Sequence, residues 1–266
     1  MKKITIIGGD NRLKILKNSL EKSGYFVDSL GLFENDNGDI TSSEVLILPV
    51  PTTKDKVTVF TPLTNRIIPL KEIEEKANRE QLILCCNYCF ANKNCVDYGS
   101  LDSYALLNSV PTAEGALKIA IENTAYTLWK STALVIGYGR VGKILADRLK
   151  AMGVNVTVSA RKLSDMALAE TLGFSYINTN QLNLVPLNYN IIFNTVDVKV
   201  IDDNALSDCT ADLIIDLSTH GGLSLTKAEQ LGIKAIKAPG LPAKIAPKTA
   251  SEILCNTVNH IINSYN

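Results

Sequence analysis

The chain has 266 residues, with 27 basic and 27 acidic side chains, 46% hydrophobic residues and 20% charged residues. A chain of this length usually forms two domains, and this composition supplies sizeable cores rather than disorder. The balanced charge, without a long basic block, argues against nucleic-acid binding, and no apolar stretch reaches membrane-spanning length. The apolar run after Met1 covers only residues 4–7 before Gly8 and Gly9, too short for a signal peptide, so we expect a cytoplasmic protein.

The first hundred residues alternate short apolar runs with amphipathic segments. The pattern predicts strands at 4–7, 25–29, 45–50, 81–86 and 104–107, and helices at 11–22 and 70–79. Alternation of this kind is typical of a parallel sheet covered by helices. We therefore expect a smaller doubly wound domain over residues 1–111.

A long helix is predicted at 112–129. Pro111 would precede it, Thr112 would cap it, and Glu114 would lie favourably in its first turn. We expect this segment, residues 112–130, to join the two domains.

The second half of the chain repeats the alternation, with strands predicted near Leu134 and Val154 and at 191–194, 212–216 and 234–236. A final apolar-faced helix begins near Pro247 and should pack back against the N-terminal domain. The expected fold class is α/β, with two doubly wound (Rossmann-like) domains joined by a long helix. The domains would comprise residues 1–111 with 248–266, and residues 131–247.

Residues 133–142 read A-L-V-I-G-Y-G-R-V-G, an apolar strand that breaks into three glycines and continues into a helix. Gly137 would permit the tight turn, Gly139 the approach of a pyrophosphate, and Gly142 close packing of the helix. The N–H groups at the helix start would bind the phosphates. The alternative is a purely structural glycine turn. The predicted pyrophosphate-binding residues are Gly137, Tyr138, Gly139, Arg140, Val141 and Gly142.

The next strand ends in Ser159-Ala160-Arg161-Lys162, without the carboxylate that an NAD-type site places about 20 residues beyond the glycines. Arg161 could bind a 2′-phosphate in bidentate fashion and Lys162 could add a second positive charge. We therefore expect NADP, held through Ser159, Arg161 and Lys162. A solvated basic turn is the alternative.

Ligands of this fold class bind beyond the carboxyl ends of the strands, where we expect anion-binding side chains from both domains. The candidate substrate-binding residues are Arg12, Thr112, Glu114, Lys244 and Thr249. His220 follows a buried strand and is the candidate general base, although a loop histidine is more often plain polar surface.

Four cysteines cluster at positions 85, 86, 89 and 95. Zinc sites usually divide their ligands into two separated pairs, whereas Cys85 and Cys86 continue a buried strand and should point to opposite faces. We expect no metal and interpret these residues as buried reduced thiols.

Several segments taken together resemble the family of bacterial dipicolinate synthase A subunits. They are I-I-G-G-D-N-R (6–12), L-I-L-P-V (46–50), N-S-V-P-T-A-E-G (108–115), G-Y-G-R-V-G (137–142), S-A-R (159–161) and A-P-G-L-P-A-K-I-A-P-K-T-A (238–250). They span nearly the whole chain in the family's order, and the segments at 108–115 and 238–242 are far more specific than the glycine fingerprint.

The resemblance implies an enzyme of the sporulating mother cell. It would use NADP to oxidise the cyclic product of the lysine pathway, a hydroxylated tetrahydrodipicolinate or its dihydro form, to pyridine-2,6-dicarboxylate. A flavoprotein-like dipicolinate synthase B subunit would be its partner, and it could also be a homo-oligomer. Two other interpretations stay open: another two-domain NAD(P)-dependent dehydrogenase of hydroxy or amino acids, and a non-catalytic NADP-binding component of a complex.

Overall fold

The computed structural model describes residues 2–91 and 93–265. The chain divides into two compact units: one contains the described residues up to Asn108 and those from Ala246 onward, and the other is Ser109–Ile245. Each unit is built on its own parallel sheet covered by helices. The predicted class, two doubly wound α/β domains, is confirmed.

The first unit has five parallel strands in the order β2-β1-β3-β4-β5. Its elements, with the helix that leads out of it, are β1 (Lys3–Ile7), α1 (Asn11–Lys22), β2 (Phe26–Leu30), β3 (Val45–Ile47), α2 (Leu70–Lys76), β4 (Leu82–Cys85), β5 (Cys95–Asp97) and α3 (Asp102–Asn123). The division between the units falls within α3.

The second unit has six parallel strands in the order β11-β10-β9-β6-β7-β8. Its elements after α3 are β6 (Thr132–Ile136), α4 (Arg140–Ala151), β7 (Asn155–Ala160), α5 (Leu163–Thr171), β8 (Ser175–Asn178), β9 (Ile191–Asn194), α6 (Asp203–Ser207), β10 (Leu213–Asp216), α7 (Leu225–Gln230), β11 (Lys234–Lys237) and α8 (Leu241–Ile245). Strands β9 and β10 are buried at every position, which is why each reads as an apolar run up to its last residue.

The last helix, α9 (Pro247–Ser264), packs on α1 within the first unit. Leu254 and Val258 of α9 share an apolar core with Leu13 and Leu16 of α1, and all four are fully buried. This confirms that the C-terminal helix returns to the N-terminal domain. Among the described residues, no helix is both long enough and apolar enough to cross a membrane.

The helix α3 corrects three of the predictions. It begins at Asp102, so residues 104–107 are helical rather than the last strand, and Thr112 lies inside the helix rather than at its cap. Pro111, expected to precede the helix, lies in its interior, where proline costs stability without excluding a helix held by tertiary packing. The last strand is instead β5, whose three half-buried residues give too short a pattern to recognise.

Candidate functional site

The glycine turn follows β6 and opens α4. Gly137 has φ +93°, a left-handed conformation that favours glycine. A Cβ on Gly137 would lie 2.6 Å from the Thr195 hydroxyl oxygen and 2.7 Å from a methyl carbon of Val196. This position therefore needs glycine both for its backbone and for the close approach of the residues after β9.

The other two glycines differ in what surrounds them. A Cβ on Gly142 would lie 2.0 Å from the carbonyl oxygen of Gly137, so the first turn of α4 can pack on the loop only without a side chain. A Cβ on Gly139 would meet nothing within 4 Å, and Gly139 forms the N-cap of α4 without a side-chain hydrogen bond. The result is open space before a 12-residue helix, a geometry that fits a nucleotide pyrophosphate.

Two of the predicted cofactor residues belong to the framework of this turn. The fully buried Ser159 hydroxyl accepts the Gly137 N–H at 3.2 Å and lies 3.2 Å from the Thr179 hydroxyl. Tyr138 is only 4% exposed and packs edge-on against Phe174. Ser159 thus holds the Gly137 turn in place, and its hydroxyl is not open to a 2′-phosphate, contrary to the sequence-based prediction.

The predicted basic pair lies at the end of the neighbouring strand. Arg161 and Lys162 are exposed and directly follow Ala160, the last residue of β7. Because β7 pairs with β6 in parallel, they lie at the same sheet edge as the glycine turn. The next acidic residue, Asp165, binds Lys143 at 2.8 Å.

In the first unit, Arg12 is buried rather than open to a ligand. Its guanidinium donates from Nε and Nη2 to the Asp10 carboxylate, and Nη2 also donates to the Val50 carbonyl at 2.6 Å. Burial alone would lower the pKa of Arg12, but the Asp10 carboxylate more than offsets this and the pKa is raised. Asp10 also caps α1 by accepting the Arg12 N–H.

The other predicted substrate residues lie on helices. Within the second unit, Thr112 and Glu114 are in the interior of α3, and Glu114 forms an ion pair with Arg148 at 3.4 Å. Lys244 is exposed in the last turn of α8. A Cβ on Gly115 would lie 3.0 Å from Leu241, so α8 packs against the part of α3 that carries Thr112 and Glu114. Thr249, in the first unit, is exposed in the first turn of α9.

The predicted general base, His220, lies in the loop after β10. Its side chain is 79% exposed, and Nδ1 lies 3.9 Å from the Asp197 carboxylate. Asp197 also accepts the backbone N–H groups of Thr219 and His220. Asp197 therefore anchors this loop, while the imidazole faces solvent.

The structure reveals a polar network that the sequence reasoning missed, at the carboxyl ends of β9, β10 and β11. Asp216, fully buried, accepts hydrogen bonds from the Asn194 amide (2.8 Å), the Ser218 N–H and O–H (3.0 and 2.6 Å) and Lys237 Nζ (2.8 Å). Burial raises the pKa of Asp216, but the hydrogen bonds from Lys237, Ser218 and Asn194 outweigh this and hold the pKa below its ordinary value. The sequence signal that could have indicated this network is that each of these three strands ends in a polar residue.

A curated relative decides the family. The A subunit of dipicolinate synthase from Bacillus subtilis (strain 168) is 32% identical to the chain, with coverage of 98% of this chain and 95% of the relative. The chain belongs to the family of dipicolinate synthase A subunits. Residues 3–101 also match the model of that family's N-terminal domain.

Solved structures agree with this family. The dipicolinate synthase A chain from Bacillus subtilis superposes with a TM-score of 0.88 at 30% identity, covering 99% of this chain and 96% of that one. The A subunit from Bacillus halodurans gives 0.87 at 28% identity, covering 98% and 97%. The apo-structure of D-lactate dehydrogenase from Escherichia coli shares the fold at 15% identity, with a TM-score of 0.64 and coverage of 98% and 96%.

A second family model indicates the kind of nucleotide. Residues 112–185 match the model of the D-isomer specific 2-hydroxyacid dehydrogenase NAD-binding domain. This segment contains the glycine turn and the basic pair. The second unit of this dipicolinate synthase A-type chain is thus a dehydrogenase-type domain for a nicotinamide cofactor.

Proposed function

We propose that the chain oxidises the dihydrodipicolinate or 4-hydroxytetrahydrodipicolinate product of the lysine pathway to dipicolinate, with NADP as the oxidant. The observation that carries the proposal is the relationship, along 98% of the chain, to the A subunit of a dipicolinate synthase. The product named for that relative is a pyridine ring with two carboxylates. Its formation from a dihydro ring creates an aromatic system, so the reaction is strongly downhill.

The choice of NADP rests on the end of β7. Arg161 and Lys162 are exposed there, and residues 155–162 contain no carboxylate that would repel a 2′-phosphate. A guanidinium is suited to bidentate binding of phosphate. The pyrophosphate is assigned to the glycine turn, residues 137–142, and the open N-terminus of α4.

The proposed reaction depends mainly on positioning the substrate against the cofactor. Bound NADP supplies the hydride acceptor, and the protein must orient the substrate, bind its carboxylates and assist the loss of one ring proton. This balances for the dihydro ring; the 4-hydroxytetrahydro form must in addition release its hydroxyl group as water. We retain Arg12, Thr112, Glu114, Lys244 and Thr249 as the candidate substrate residues and His220 as the candidate base. Of these, Glu114, Lys244, Thr249 and His220 have exposed side chains, whereas Arg12 is buried.

The biological setting follows from the same family. We propose that the chain acts in the cytoplasm of the mother cell during sporulation and forms a complex with the flavoprotein-like B subunit of dipicolinate synthase. Self-association into a homo-oligomer is compatible with this arrangement.

The test is direct. The purified chain, on its own and together with the B subunit, is given freshly generated 4-hydroxytetrahydrodipicolinate with NADP or NAD, and dipicolinate and the reduced nucleotide are both measured. Production by the chain on its own, faster with NADP, is expected. Production only with both proteins would favour a non-catalytic nucleotide-binding role, and production by neither would overturn the substrate assignment.

A further inference from the structure

Lys237 ends β11 and is held in a fixed position beside the buried Asp216. Its Nζ donates to Asp216 Oδ2 at 2.8 Å and to the Ser218 hydroxyl at 3.1 Å. An ammonium group carries three N–H bonds. The third has no acceptor among the described residues, and the Lys237 side chain is 31% exposed.

Asp216 pairs with Lys237 and leaves one N–H of the ammonium group free of any partner among the described residues. The other carboxylate oxygen of Asp216 is occupied by the Asn194 amide and by the N–H and O–H of Ser218. A buried carboxylate is stable only when it is paired and fully hydrogen-bonded, and Asp216 meets both conditions. Three neutral donors share the negative charge of Asp216, which leaves net positive character at the open side of Lys237.

The loop after β10 leaves the Asp216–Lys237 ion pair uncovered. A Cβ on Gly221 would lie 3.9 Å from Lys237 Nζ and 4.0 Å from Asp216 Oδ2, and φ at Gly221 is +99°, a conformation that favours glycine. A Cβ on Gly222 would lie 2.2 Å from the Asn194 amide nitrogen, so this residue must also be glycine. The two glycines let the chain pass close to the pair without a side chain over the ammonium group.

The position in the sheet connects this group to the cofactor. In the order β11-β10-β9-β6-β7-β8, the glycine turn follows β6, the basic pair follows β7, and Lys237 lies on the opposite side of β6. A dinucleotide in this fold crosses the carboxyl edge at the point where the strand order reverses, here between β6 and β9. With its adenosine phosphate at Arg161, its nicotinamide half would extend over β9 and β10, toward Lys237.

We propose that Lys237 binds one carboxylate of the dicarboxylate substrate through its third N–H, with Asp216 and Asn194 as positioning residues. This inference rests on the proposed function, because the substrate must reach the nicotinamide end of the second unit. A flat ring with two carboxylates is fixed in orientation when one of them is anchored. The second carboxylate of the substrate would be bound by cationic or hydroxyl side chains among the candidate substrate residues, such as Lys244 and Thr249.

The experiment measures binding of dipicolinate and of picolinate, which lacks one carboxylate, to the NADPH complex by calorimetry. In the wild type, dipicolinate should bind more tightly than picolinate. Lys237→Met should weaken dipicolinate binding by roughly 10- to 100-fold, the loss expected for a charge-assisted hydrogen bond, and should reduce the preference over picolinate. NADPH binding should change little. Lys234→Met, an exposed lysine at the start of the same strand, is the matched control and should change neither.

Lys237→Met leaves the buried Asp216 carboxylate unpaired, which could destabilise the fold. The double variant Asp216→Asn/Lys237→Met removes both charges together and so avoids a buried unpaired charge. The proposal is overturned if either folded variant retains the wild-type preference for dipicolinate. A wild-type NADPH complex that does not bind dipicolinate would instead remove the proposed function, and this inference with it.

Discussion

Gly142 approaches Gly137 so closely that a single added carbon would lie 2.0 Å from the Gly137 carbonyl oxygen. Gly139, three residues earlier than Gly142, has no atom within 4 Å of the same added carbon. One glycine therefore serves packing, while the other keeps space free. Replacing each glycine in turn by alanine tests the two roles separately.

Gly142→Ala should destabilise the second unit by about 1–3 kcal/mol, because the clash is with backbone that can move only by shifting α4 from the sheet. Gly139→Ala should leave stability nearly unchanged, since Gly139 has φ −83°, and should weaken NADPH binding by roughly tenfold or more. Urea unfolding and nucleotide titration measure the two effects. A Gly139→Ala protein with wild-type nucleotide affinity would show that the pyrophosphate does not approach this residue.

Arg161→Asp should reverse the nucleotide preference. The substitution removes a bidentate cation and places a carboxylate where a ribose hydroxyl could use it, so NADP affinity should fall by about 100-fold while NAD affinity is retained or improved. Fluorescence titration with NADPH and NADH measures this. Lys234→Asp, which changes the charge equally at another exposed position, is the control. Equal losses for both nucleotides would contradict the 2′-phosphate role.

The glycine turn and basic pair were predictable because their chemistry is contained in short contiguous segments. The network around Asp216 was not, because it depends on β9, β10 and β11 lying side by side. The sequence instead drew attention to His220, four residues beyond Asp216, whose imidazole faces solvent. Arg12 shows the same limit: its position at the start of α1 was predicted, but only the structure reveals that Asp10 and Val50 occupy its Nε and Nη2 donors.

Asp216→Asn should change how stability depends on pH. The pKa of the Asp216 carboxyl is lowered in the fold, since hydrogen bonds from Lys237, Ser218 and Asn194 outweigh the effect of burial. A carboxylate whose folded pKa lies below its unfolded value of about 4 stabilises the fold above that pH, and the contribution is lost as pH falls through the folded pKa. The variant should therefore be less stable at neutral pH and should have a flatter acid limb.

Urea unfolding between about pH 3 and pH 7 measures this dependence. Asp212→Asn provides a comparison at a carboxylate of the second unit that lies before β10 rather than at its end. An unchanged acid limb in Asp216→Asn would show that the network contributes nothing to stability through its charge.

The thiols should differ sharply in reactivity toward a disulfide reagent such as DTNB. Cys86 is 2% exposed, and burial raises its pKa to about 12, so almost no thiolate is present at neutral pH. Cys89 is exposed, yet partial desolvation and then a hydrogen bond to Cys95 raise its pKa to about 12. The pKa of Cys95 is lowered, because the hydrogen bond between the Cys95 and Cys85 thiols outweighs the effect of burial. Cys95 should react first in the folded protein, because its lowered pKa favours the thiolate and its side chain is only half-buried. Cys86 should react only after unfolding.

Cys95→Ser should remove the fast phase and Cys86→Ser should leave it unchanged. Persistence of that phase in Cys95→Ser would contradict the assignment, which rests on the 3.4 Å hydrogen bond between the Cys95 and Cys85 thiols.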